Sequence, residues 1–151
     1  MRIIRIILQL FHILTGVGAL AGGYACIAEP HAPLGAPVSM LEGSVFDSFL
    51  IPGIVLFVLF GIGNLLGWFS LLRRYRWYGY LGGVLGGAMV IWIVVQVIII
   101  SAITFLHILF FGIGMFQAVV SSVYLSQERL FPMPLLSKWW GNLVGNKERD
   151  R

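Results

Sequence analysis

The chain has 151 residues, of which 59% are hydrophobic and only 11% are charged, and its formal net charge is +4. A soluble domain carries roughly a quarter charged residues, and a disordered chain combines low hydrophobicity with high charge. Both classes are excluded, and the composition indicates an integral membrane protein. The single cysteine, Cys26, also excludes an intramolecular disulfide, a CxxC redox centre and a cysteine-rich zinc site.

Uncharged apolar runs predict four membrane spans, because a bilayer core about 30 Å thick requires about 20 apolar residues in a helix. The stretch from Trp77 to Gln127 has no charged residue and is long enough for two crossings. Its small and β-branched polar cluster at 101–104 is the best place for a turn. The predicted spans are 6–28, 48–72, 78–100 and 104–126. We therefore expect an all-α fold, a polytopic four-helix bundle whose transmembrane domain covers 1–128.

The alternative interpretation of the first span is a signal peptide. Arg2 and Arg5 precede the apolar run, and Cys26-Ile27-Ala28 loosely resembles a cleavage site. The run is longer than the usual apolar region of a signal peptide, about 7–15 residues, which favours a retained helix.

The distribution of lysine and arginine predicts the orientation, since cytoplasmic loops retain positive charge. With four spans and an inside amino terminus, all ten basic residues are cytoplasmic. They are Arg2, Arg5, Arg73, Arg74, Arg76, Arg129, Lys138, Lys147, Arg149 and Arg151. The outer face then carries the acids Glu29, Glu42 and Asp47. We expect a multi-pass protein of the bacterial inner membrane with both termini in the cytoplasm, and no nucleic-acid partner is needed to explain the basic charge.

The first outer loop is rich in proline, which predicts an extended first half. Ser39 with Glu42, and Ser44 with Asp47, each match a capping box, in which a hydroxyl at the helix start pairs with a carboxylate three residues later. These patterns predict a short outer-loop helix and a start of the second span at Ser44. Pro52 then falls inside that span, where it would bend the helix.

The segment 129–151 is predicted to be an interfacial tail. Phe131-Pro-Met-Pro134 would end the fourth helix, and apolar residues then recur at helical spacing with Trp139 and Trp140. This pattern is typical of an amphipathic segment in the cytoplasmic headgroup region. Protein docking is the alternative.

Glycine pairs four residues apart recur in three of the spans. They are Gly18 and Gly22, then Gly63 and Gly67, then Gly79, Gly83 and Gly87, with Gly82 and Gly86 alongside the last set. Such spacing lets helix backbones approach closely in lipid. We interpret these faces as packing within one bundle. A homo-oligomer or a membrane protein partner docked on span three is the alternative.

No acidic or basic residue falls inside a predicted span, which disfavours a transporter that relies on intramembrane carboxylates. At 1.5 Å per residue, the uncharged polar residues sort into two layers. The inner layer comprises Gln9, His12, Asn64 and Gln117. The outer layer comprises Gln96, Thr104 and His107. The main interpretation is hydrogen bonding between helices. The alternative is a polar cavity that binds a small molecule or a lipid headgroup, with His12 as the group that titrates.

Neither a cofactor nor a metal is predicted. His12 and His107 would lie about 15 Å apart along the membrane normal, which is too far for both to ligate one haem. The sequence also lacks a phosphate-binding loop, an HExxH motif and a GxSxG elbow. An enzyme would require His31, Glu42 and Asp47 to converge at the outer surface.

Two stretches carry a resemblance to a known group. Residues 41–53 read Leu-Glu-Gly-Ser-Val-Phe-Asp-Ser-Phe-Leu-Ile-Pro-Gly, and residues 91–96 read Ile-Trp-Ile-Val-Val-Gln. With these stretches the chain resembles a group of small uncharacterised bacterial four-helix integral membrane proteins, over about residues 10–125. The resemblance implies an architecture and no activity. It implies that the outer loop enters span two through the Phe-Leu-Ile-Pro-Gly turn, and that Trp92 and Gln96 share one face of span three.

These observations predict a non-catalytic structural, accessory or ligand-binding component of the inner membrane, in contact with membrane lipid. The alternative is a small homo-oligomeric transporter or channel whose path is lined by the inner polar layer.

Overall fold

The computed structural model describes residues 2–75, 77–101 and 103–128, which form helices and turns. Four helices in it are long and apolar enough to cross a membrane. They are α1 (Arg2–Ala28), α2 (Leu50–Leu72), α3 (Tyr78–Ile100) and α4 (Phe105–Gln127). The four helices predicted from the sequence are therefore confirmed as helices of membrane-spanning length. The predictions for the tail at 129–151 lie outside the described residues.

The chain folds back at the predicted turn between α3 and α4. Ser101 ends α3 in a left-handed conformation with a φ of 51°, and Thr104 is the residue before α4 in an extended conformation. We call this end of the bundle, which also carries the connection between α1 and α2, the loop end. The other end carries Arg73 and Arg74 and is called the basic end.

Helix α2 is irregular at its centre and not at Pro52. It consists of an α-helical turn at Leu50–Val55, a π-helical segment at Leu56–Ile62 and an α-helix at Gly63–Leu72. Pro52 is only the third residue of the helix, where a backbone N–H has no intrahelical acceptor. Contrary to the prediction, Pro52 therefore costs no helical hydrogen bond.

The connection between α1 and α2 contains two 3₁₀ turns, Pro33–Gly35 and Val38–Leu41. The predicted short outer-loop helix is thus present as single turns, but the first half of the loop is not extended. Both predicted capping boxes are wrong. The second turn follows Pro37 without a side-chain cap, and the Ser44 hydroxyl accepts the Phe46 N–H at 3.1 Å. Serine hydroxyls compete for nearby backbone groups in this way, and α2 begins only at Leu50.

The four helices pack as two antiparallel pairs. Helix α1 lies along α2 with the most extensive interface of the bundle, and α3 lies along α4. At the closest crossings backbone meets backbone: a Cβ on Gly23 would lie 2.6 Å from the Phe57 nitrogen, and one on Gly86 would lie 2.7 Å from the Ala118 nitrogen. Glycine is therefore required at Gly23 and Gly86 for the pairs to close.

Two apolar clusters fill the interior. The cluster towards the basic end consists of Leu8, Leu71, Tyr78, Tyr124 and Leu125. The cluster towards the loop end consists of Ala19, Phe60, Met89 and Ile93. Many large apolar side chains of the four helices are exposed on the surface of the bundle.

Candidate functional site

A group of hydrogen-bonded polar side chains lies between the two apolar clusters. His12 of α1, Asn64 of α2 and Gln117 of α4 each expose 1% or less of their surface. The His12 Nδ1 lies 2.8 Å from the Asn64 Oδ1, and the Gln117 Nε2 donates to the same oxygen at 3.1 Å. We call these three side chains the polar centre. It joins α1, α2 and α4 about 15 Å inside the basic end, ten residues from the start of α1.

The hydrogen bonds assign the proton of the imidazole. The Asn64 Nδ2 donates to the Phe60 carbonyl at 2.8 Å, so the Asn64 Oδ1 is the acceptor that faces His12. The His12 Nδ1 must then carry the proton and donate it. In this tautomer the Nε2 is an acceptor. The Gln117 amide nitrogen lies 3.4 Å from the Nε2 and 3.1 Å from the Nδ1. Each of the three side chains is therefore hydrogen-bonded to another member of the polar centre, and Asn64 also to the α2 backbone.

Glycines enclose the imidazole on two sides. A Cβ on Gly67 would lie 2.5 Å from the His12 Cε1, and one on Gly82 would lie 3.4 Å from the His12 Nε2. A Cβ on Gly82 would also collide with the Ser121 hydroxyl. Helix α3 thus contributes Gly82, whose lack of a side chain leaves room for the imidazole. All four helices therefore meet at the His12 ring.

The structure brings together three of the four residues of the predicted inner layer. Gln9 is half-buried and takes no part in the hydrogen bonds among the described residues. Thr15 and Ser121 are buried beside the centre, with hydroxyl oxygens that have no hydrogen-bond partner in the described part of the chain. The sequence analysis missed both, although Thr15 follows His12 by three residues and Ser121 follows Gln117 by four, which is the spacing of one helix face.

The predicted outer layer sits at the loop end. The Thr104 N–H donates to the His107 Nδ1 at 3.1 Å, and the backbone N–H of His107 donates to the Thr104 hydroxyl oxygen, so that the two residues form a capping box. Histidine replaces the usual glutamate or glutamine of this motif, which is why the sequence analysis did not detect it. Because Nδ1 accepts a backbone N–H, the proton of the neutral ring is on Nε2.

A cavity of about 440 Å³ lies next to this capping box, between the loop-end halves of α1, α3 and α4. Its floor and walls are apolar and include Ala21, Met89 and Phe110. Gln96, Thr104 and His107 line it as well, so the cavity contains all three residues of the predicted outer layer. Leu34 of the first 3₁₀ turn also lines it. We call it the first cavity. It has the size and the mixture of apolar walls and few polar groups that characterise ligand sites.

The predicted glycine pairs occupy different environments. Gly18 and Gly22 line the first cavity. A Cβ on Gly63 would meet Leu85 at 3.1 Å, and one on Gly79 would meet Tyr124 at 2.7 Å, whereas Gly87 faces open space. The side of α3 that packs within the bundle therefore runs through Gly79, Gly82 and Gly86, rotated from the predicted line of Gly79, Gly83 and Gly87.

The residues of the enzyme hypothesis are all on the surface. His31, Glu42 and Asp47 are exposed, and within 2–75, 77–101 and 103–128 no three His, Cys, Asp or Glu side chains are grouped to hold a metal ion. No protein-family model, curated protein or solved structure matches the chain. The function is therefore inferred from the polar centre and the first cavity.

Proposed function

We propose that the protein is a non-catalytic component of the bacterial inner membrane that binds a lipid-like amphiphile in the first cavity. The observation that carries this proposal is the cavity itself: an apolar space of about 440 Å³ with Gln96, Thr104 and His107 at the loop end. An acyl chain would occupy the apolar part, and a headgroup would reach the polar side chains.

The polar centre supports this division of roles. It is enclosed by all four helices, and the His12 Nδ1, both polar atoms of the Asn64 amide and the Gln117 Nε2 are hydrogen-bonded within the protein. The proposed role of the polar centre is to fix the rotation and the depth of the helices. Side chains that hydrogen-bond to one another inside the bundle are less suited to line a transport path.

The binding proposal is tested with a variant that fills the first cavity. Ala21 is exposed and lines the cavity, so Ala21→Trp places a bulky indole in it. Val17, which is 57% exposed on the same helix, provides the matched control Val17→Trp. Purified protein in mild detergent is titrated with lysophosphatidylethanolamine, and native mass spectrometry counts the bound molecules.

We expect one bound molecule on the parent protein and on Val17→Trp, and binding at least about tenfold weaker on Ala21→Trp, a difference of about 1.4 kcal/mol. Equal binding by all three proteins would refute the proposal.

The proposed orientation places both termini and the α2–α3 turn in the cytoplasm, because every lysine and arginine of the sequence then lies on that side. A topology reporter inserted after Arg76 should read cytoplasmic, and one inserted at Pro33 should read periplasmic. The reverse pattern would contradict the proposed orientation. It would have no bearing on the binding proposal, which the cavity-filling variant tests.

A further inference from the structure

A second cavity, of about 300 Å³, opens between α3 and α4 at the loop end. It is lined by Val94, Val97 and Ile98 of α3 and by Ile103, Ile108 and Phe111 on the other side. Apart from His107, every side chain around it is apolar. A cleft with such walls on the outside of a membrane bundle suits a hydrocarbon chain.

The two cavities meet at the same side chains. Ile93 and His107 line both of them, whereas Gln96 and Thr104 line only the first. Two apolar spaces thus flank one imidazole, with further polar groups at the same end of the bundle. This arrangement matches the shape of a diacyl lipid, in which two acyl chains extend from one headgroup.

Resting on the proposed function, we infer that the ligand is a two-chain phospholipid with a zwitterionic headgroup. One acyl chain occupies each cavity, and the headgroup lies at Thr104 and His107. The capping box leaves the His107 Nε2–H as a donor, because the Nδ1 accepts the Thr104 N–H. A phosphate oxygen is a suitable acceptor for that donor.

The charge around the loop end selects the headgroup. The sequence has no lysine or arginine between residues 6 and 72 or between 77 and 128, whereas the loop before α2 carries Glu29, Glu42 and Asp47. An anionic headgroup would meet these acids without a basic partner. The ammonium of a zwitterionic headgroup would be attracted by them.

The inference is tested by occluding the second cavity alone. Ile98 is 70% exposed and lines it, and Ile91, 66% exposed on the same helix, does not. Ile98→Trp and the control Ile91→Trp are compared with the parent protein by native mass spectrometry. The probes are phosphatidylethanolamine, its lyso form with the same acyl chain, and phosphatidylglycerol with the same two chains. Ile103→Trp, in the turn before α4, occludes the same cavity from the opposite side if Ile98→Trp does not fold.

The parent protein should bind phosphatidylethanolamine at least about tenfold more tightly than the lyso form, and more tightly than phosphatidylglycerol. Ile98→Trp should remove the preference for two chains and leave lyso binding unchanged, and Ile91→Trp should behave as the parent. Equal binding of the diacyl and lyso lipids by the parent, or an unchanged preference in Ile98→Trp, overturns the two-chain ligand. A preference for phosphatidylglycerol overturns the headgroup.

The cavity-filling variant Ala21→Trp separates this inference from the proposed function. If Ala21→Trp binds both the diacyl and the lyso lipid as well as the parent does, the proposed function fails and the inference fails with it. If Ala21→Trp weakens both while Ile98→Trp weakens neither, the first cavity binds lipid and only the two-chain inference is wrong.

Discussion

Replacing Asn64 with leucine tests whether the polar centre holds the bundle together. Leucine branches at the same atom as asparagine but has no hydrogen-bonding atom. The substitution removes the acceptor of His12 at 2.8 Å and of Gln117 at 3.1 Å. It leaves a buried N–H on each of these side chains without its partner.

The expected loss follows from the two bonds between helices. A hydrogen bond between membrane helices contributes about 0.6 kcal/mol on average and up to about 1.7 kcal/mol, so Asn64→Leu should lower the free energy of unfolding by roughly 1–3 kcal/mol. The loss is measured by unfolding in mixed micelles of dodecyl maltoside and dodecyl sulfate, followed by helical circular dichroism. Gln9→Leu is the control, because Gln9 is half-buried outside the centre, and it should change stability by less than about 0.5 kcal/mol.

A double-mutant cycle with Gln117→Leu then isolates the shared bond. Because both single changes remove the same contact, the double variant should lose less than the two single losses together, by about 0.6–1.7 kcal/mol. Stability of Asn64→Leu equal to that of the parent, or strictly additive losses, would refute the role assigned to the centre.

Three further changes are expected to alter the same free energy of unfolding. Gly67→Ala should cost about 1–3 kcal/mol, since its Cβ would lie 2.5 Å from the His12 Cε1. The control Gly87→Ala, which faces open space, should be neutral or stabilising by up to about 1 kcal/mol, and equal effects at the two glycines would contradict the packing. Thr104→Ala should cost about 1 kcal/mol through loss of the capping box, and an unchanged stability would show that the cap contributes nothing. Ser101→Gly should add up to about 1 kcal/mol, because glycine adopts a φ of 51° without a steric penalty, and a loss would show that the serine side chain is needed.

Predictions from short sequence patterns were wrong in the irregular parts of the chain. The sequences that begin at Ser39 and Ser44 both match the capping pattern. In the structure, however, Ser39 lies within a 3₁₀ turn that follows Pro37, and the Ser44 hydroxyl accepts the Phe46 N–H. The pattern cannot distinguish these outcomes, since one hydroxyl can satisfy several nearby backbone groups. The π-helical segment at Leu56–Ile62 left no recognised signal in the sequence. It lies where α1 crosses α2, with Gly61 against Leu20.

The sequence by itself determined the four long helices of the described residues and the level along the bundle at which the polar residues of different helices meet, but not where α2 begins. Charge and hydropathy are one-dimensional signals, and a rise of 1.5 Å per residue converts position into depth. That was enough to place His12, Asn64 and Gln117 at one level, and Gln96 with His107 at another.

Only the tertiary structure decided how each helix is rotated about its axis. It left Gln9 outside the polar centre, and it aligned Gly82 and Gly86, rather than Gly83 and Gly87, with the interior. The physical reason is that lipid tails and neighbouring helices are both apolar, so hydropathy does not tell a helix which side to bury. Close backbone contact and the hydrogen bonds at His12 make that choice, and they exist only once the four helices are packed.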